Sequence, residues 1–189
     1  MLALDIPIGL PPSGPRACDL DARRLLGPGR GSSVFPAPIR PILEATSYAE
    51  GSEARRAAEG KGLSIQAWGI VPKIREVDAF LRADSSARER VHEVHPELCF
   101  YFMAGKRPMG FGKKKADGRA ERIALLRKHF GTAVDSALTD LRQSGCAADD
   151  LLDAFAALWT ARRIRAGTAV SLPATPPMDA HGLRMEILA

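Results

Sequence analysis

The chain has 189 residues, 46% of them hydrophobic, and its 27 Lys and Arg against 22 Asp and Glu give a formal net charge of +5. That length and apolar content suit one domain, 1–189, with a sizeable core, and the modest positive charge suits a polyanionic partner without demanding one. No stretch approaches the roughly eighteen apolar residues of a membrane span, and the start lacks the basic n-region of a signal peptide. Cys18, Cys99 and Cys146 stand far apart with no Cys-x-x-Cys pair, which reads as free thiols in a reducing compartment. A cytoplasmic chain that does not cross a membrane is the expectation.

In chain order, residues 2–8 form a short apolar run closed by Pro7, Gly9, Pro11 and Pro12, the pattern of a strand buried on both faces. Asp5 interrupts it near its carboxyl end. A carboxylate there is expensive unless it is paired or holds a cation, so Asp5 is a site residue, a loop cap or the partner of an Arg. Residues 16–26 predict a short helix with one apolar and one basic side. The Gly-rich stretch 27–33 follows, without the Gly-Lys-Ser/Thr ending of a P-loop. It reads as a mobile loop or as a backbone cradle for phosphate. Prolines 36, 38 and 41 lead into a helix over 42–49, and a polar helix over 52–59 is ended by Gly60 and Gly62.

Residues 64–83 carry apolar side chains at three-to-four spacing, with Pro72 predicting a kink or a fresh start. Trp68 falls on the core face, and Lys73 is either solvated or a phosphate contact. The alternation of 90–97 predicts a strand stopped by Pro96, with Glu93 near its end, and a helix over 97–103. His92 and His95 lack the helical i, i+4 spacing of a zinc protease. The loop 105–118 contains Lys113, Lys114 and Lys115, either solvated or holding phosphate. Helices are expected over 117–130, over 135–144 and from Asp149 onward, with short strands at 170–172 and 183–188 joined by a Pro-rich connection.

Asp5, Glu93 and Asp153 therefore form a candidate acidic cluster at element ends. Such a set suits two Mg²⁺ or Mn²⁺ ions clamping a phosphodiester. His95 would orient a ligand or relay a proton, and Lys113, Lys114, Lys115 and Lys73 would hold substrate phosphate.

Asp5-Ile6-Pro7-Ile8-Gly9-Leu10, Arg16, Cys18-Asp19, Ser64-Ile65-Gln66-Ala67-Trp68, Glu93-Val94-His95-Pro96-Glu97, Lys113 to Lys115 with Gly118 and Arg122, and Asp153-Ala154 together resemble the family catalogued as domain of unknown function 429. That family is described as a predicted nuclease of ribonuclease H-like fold. The resemblance implies an α/β domain with a mixed central sheet flanked by helices, and metal-binding roles for Asp5, Glu93 and Asp153. It also implies that the usual opening meander, with its own Asp, is missing from this chain. The expected function is then a metal-dependent nuclease hydrolysing phosphodiester bonds. A non-catalytic nucleic-acid-binding or interaction protein is one alternative, and a nucleotide-hydrolysing or phosphotransfer enzyme is another. The strand 2–8 would lie at a sheet edge, parallel to 91–95, and would invite a homodimer through that edge.

Overall fold

A computed structural model describes residues 1–141 and 147–189. Cys146 and the end of the helix expected over 135–144 lie outside the described residues. The elements run β1 (Leu2–Leu4), α1 (Ala17–Arg30), α2 (Tyr48–Glu59), α3 (Ile65–Ala83), β2 (Val91–Glu93), α4 (Pro96–Met103), α5 (Ala116–Phe130), α6 (Ala133–Leu141), α7 (Ala148–Arg165), β3 (Ser171–Leu172) and β4 (Ile187–Leu188). Short 3-10 turns occupy Gly31–Ser33, Arg40–Glu44 and Ser85–Glu89.

The expected ribonuclease H-like α/β fold with a mixed central sheet is not what the chain builds. The described residues are 59% helix and 7% strand, with only two short two-stranded sheets among them. β1 pairs in parallel with β2, Leu2 opposite Val91 and Leu4 opposite Glu93. β3 pairs antiparallel with β4, and a single parallel bridge, Val94 to Leu188, links the two pairs. The reason is visible in the strand segments themselves. The run 2–8 leaves extended pairing after Leu4 and meets Pro7, Pro11 and Pro12, residues without a donor for a ladder. The run 90–97 is cut by Pro96, which becomes the first residue of α4, and 170–172 is cut by Pro173. Among the described residues β1 pairs with β2 alone.

The helices start where local chemistry dictates. The Ser47 hydroxyl accepts from Glu50 N while the Glu50 carboxylate accepts from Thr46 N, closing the first turn of α2 from both sides. That helix begins at Tyr48 and ends at Gly60 in the left-handed region. The helix expected over 42–49 is instead the 3-10 turn Arg40–Glu44. Ser64 caps α3 by accepting from Ala67 N. Ala67, Val71, Ile74 and Leu81 give α3 its buried stripe, and the helix passes unbroken through Pro72, whose ring is on the exposed side. α1 does break, at Gly27, where φ is +67°.

The core has four contiguous parts. One joins Leu10, Ile39 and Ile42 to α3, and a second joins α1 and α4 to Ile187. The third packs Phe100 of α4 against Leu126 of α5 and Leu152 and Ala156 of α7. The fourth sets Ile8 and Val91 against Leu81. Among the described residues no helix is long and apolar enough to cross a membrane.

Candidate functional site

One cavity of about 640 Å³ opens where these parts meet. The parallel register of β1 and β2 brings their carboxyl ends side by side. Asp5 follows β1 directly, Glu93 ends β2 and His95 is the residue before α4. Asp153, in the second turn of α7, and Lys113, Lys114 and Lys115, in the loop before α5, line the same cavity. Seven of the eight candidate residues named from sequence are thus brought to one cavity. Lys73 is not: it lies on the exposed face of α3, outside the cavity lining. The Gly-rich stretch is not a loose loop but the broken end of α1 and a 3-10 turn, and it places Arg30, Ser32 and Ser33 on the cavity rim. Phe35, two-thirds exposed, adds an apolar part of the lining with Pro36 and Ile70.

Beneath the cavity is a buried ionic cluster whose partners are far apart in the chain. Arg16, Asp19 and Glu93 are 3%, 2% and 5% exposed. Arg16 donates Nη1 to Glu93 Oε2 at 2.6 Å and Nη2 to Glu93 Oε1 at 2.7 Å, and it donates to both oxygens of Asp19. Ile8 N adds a third hydrogen bond to Glu93 at 2.6 Å, and Ala37 N donates to Asp19. Burial pushes the Glu93 carboxyl up, and the Arg16 guanidinium and the Ile8 N–H oppose that shift. Both Glu93 oxygens act as acceptors here, so the pair is best described as ionised. A second buried pair joins Glu97 to Arg122, which also donates to the carbonyls of Gly118 and Phe111. Glu97 Oε2 has no hydrogen-bond partner among the described residues.

At the cavity face proper, Lys113 Nζ donates to Asp153 at 2.7 Å and lies 4.0 Å from Asp149. Burial pushes the Lys113 ammonium down, but the hydrogen bond and charge of Asp153, aided by Asp149 and Asp5, hold it above its ordinary value. Burial raises both Asp5 and Asp153, and Asp153 is raised further by the nearby charges of Asp5 and Glu97. Asp5 keeps much of its surface open through the cavity mouth, while the protein packed behind it still removes part of its hydration. His95 Nε2 is 3.3 Å from the Ser33 carbonyl, and its Nδ1 is buried without a partner among the described residues.

The expected triad does not fit a pair of divalent ions as folded. Glu93 has both oxygens engaged by Arg16, and Asp153 is engaged by Lys113. Among the described residues no group of three or more His, Cys, Asp or Glu is arranged to hold a metal ion. Arg16, Asp19, Glu97 and Arg122 were not singled out as site residues from sequence. Only the i, i+3 spacing of Arg16 and Asp19 at a helix start hints at one of these contacts. Cys18, beside the Arg16–Asp19–Glu93 cluster, and Cys99 are both buried, and burial pushes both thiols up, that of Cys99 to about 12, which disfavours the reactive thiolate.

No curated protein and no solved structure matches the chain. A family model does, over residues 1–178, and the chain belongs to that family, described as protein of unknown function (DUF429).

Proposed function

We propose that the cavity binds the phosphate backbone of a nucleic acid and that its acid pair, Asp5 and Asp153, serves hydrolysis of a phosphodiester. The observation that carries this reading is the meeting, in one cavity, of desolvated carboxyls with a cationic wall of Lys114, Lys115 and Arg30. Perturbed acids in a concave site are the usual mark of a functional one. A carboxyl held above its ordinary value keeps its proton longer and can deliver it to a leaving oxygen. Donation from His95 Nε2 to the Ser33 carbonyl would fix the ring at the cavity wall. The exposed cations would anchor phosphates without reading sequence.

A second reading, a nucleic-acid-binding protein without catalysis, is favoured by one observation: Glu93 and Asp153 are each already neutralised by a basic side chain. The deciding experiment offers labelled single-stranded and duplex oligonucleotides to the wild type and to Asp5→Asn, with and without Mg²⁺. The first reading expects fragments from the wild type and, from the variant, retained binding with cleavage lost. Binding without cleavage in both selects the second reading. Absence of binding at low salt overturns both.

A further inference from the structure

We propose that the cavity takes an unpaired nucleobase against the ring of Phe35, with the adjoining phosphates on Lys114, Lys115 and Arg30, so that its nucleic-acid ligand is single-stranded where it binds. Phe35 is 67% exposed, the most exposed Phe, Tyr or Trp among the described residues, and it lines the cavity. Its backbone is nevertheless held on both sides. Val34 before it is buried, and the Val34 carbonyl accepts from Arg23 Nη1 at 3.2 Å. Beyond it, Ala37 N donates to Asp19 of the buried cluster at 3.1 Å, and Pro36 and Pro38 restrict the backbone. The fold therefore presents an aromatic ring at the cavity instead of burying it, and a side chain on a fixed backbone loses little freedom when a ligand covers it.

The rest of the lining suits a unit with one apolar and one anionic end. Pro36 and Ile70 extend the apolar part, and Gln66, one turn before Ile70 on the same face of α3, brings amide donors and an acceptor for the edge of a base. The cations are tied to this part of the fold. Arg30 stands five residues before Phe35, and its Nε donates to the Met109 carbonyl at the start of the lysine loop. Bases of any identity stack on an aromatic face, while phosphates go to cations. The volume of about 640 Å³ falls within the range of small-ligand cavities, roughly 300–1,000 Å³. In a duplex the faces of each base are already covered by its neighbours, so a base must leave the stack before it can enter such a cavity.

The inference rests on the nucleic-acid reading and names the form of that ligand. Affinities are measured at one low salt concentration for a single-stranded oligonucleotide, for the duplex of the same sequence, and for a strand of equal length built of abasic units. The proteins are the wild type, Phe35→Ala, Phe35→Leu and Phe35→Trp, with circular dichroism confirming the fold of each. The wild type should prefer the single strand to the duplex. Phe35→Ala and Phe35→Leu, both without a ring, should bind the single strand about tenfold more weakly, the loss of one stacked base. Phe35→Trp should bind it at least as tightly as the wild type does. On the abasic strand all four proteins should bind alike, because only phosphate contacts remain. Equal affinity of the wild type and whichever ringless variant folds for the single strand would overturn the inference while leaving phosphate binding standing. So would an equal loss on the abasic strand, or a wild type that prefers the duplex. Absence of binding to all three ligands would overturn the inference together with the reading it rests on.

Discussion

At the scale of single residues, the site is an arrangement of charges removed from water, and each removal has a signature. Burial raises Asp5 above the ordinary carboxyl value near 3.8. The folded chain therefore holds that proton to higher pH than the unfolded chain does. The stability it contributes is full below the unfolded value and is lost as pH rises through the folded one. That stability is lost as pH rises, so Asp5→Asn should raise the melting temperature near pH 7, with the gain shrinking toward pH 3. Melting curves of the two proteins from pH 3 to 8 check this; a gap constant across that range would contradict it. Arg16 behaves in the opposite way. Replacing it by Met leaves Asp19 and Glu93 buried without a cation, a loss of about 3–5 kcal/mol. Denaturant unfolding would measure it, and a loss under about 1 kcal/mol, typical of an exposed pair, would show the cluster to be unimportant.

At the scale of elements, the cavity depends on how tightly the lysine loop is laid against α5. A Cβ built at Gly118 would stand 2.1 Å from the Gly112 carbonyl oxygen, so no side chain fits there unless the loop moves. Gly118→Ala should displace Lys113 to Lys115 together, weakening oligonucleotide binding and lowering the melting temperature. Unchanged affinity would mean that the loop tolerates displacement or does not bind the ligand.

Elements also set how much was legible in the sequence. Most helices could be read from periodicity and caps. α3 is the clearest case, because Ala67, Val71, Ile74 and Leu81 keep one face buried over about four turns. The sheet could not be read correctly. Alternation over two to four residues between prolines looks the same whether the chain continues as a strand or turns away after Leu4. Asp5, Glu93, His95, Asp153 and the three lysines could be singled out because carboxylates in apolar runs and clustered cations are conspicuous. Their partners could not. Arg16 meets Glu93 across 77 residues and Lys113 meets Asp153 across 40, and no local pattern encodes either pairing.

At the scale of the whole molecule, the cavity draws its walls from the start of the chain, both ends of α1, α3, β2, α4, the lysine loop, α7 and β4, so a ligand in it would bridge segments far apart in the chain. Such a ligand should stabilise the chain as a unit, by about 2.7 kcal/mol at a hundredfold excess over its Kd. The net charge of +5 would favour approach of a polyanion from any side, but contacts in the cavity should have their own salt signature. The central claim is that Lys114 and Lys115 hold phosphates above the acid pair. The most direct measurement is the affinity for a single-stranded oligonucleotide as a function of salt, for the wild type and for Lys114→Ala/Lys115→Ala. Each phosphate contact on a single strand contributes a log–log slope of about −0.7. The account predicts that the double variant has a slope shallower by about 1.4, with its fold intact. An unchanged slope would return both lysines to the solvent and contradict the account.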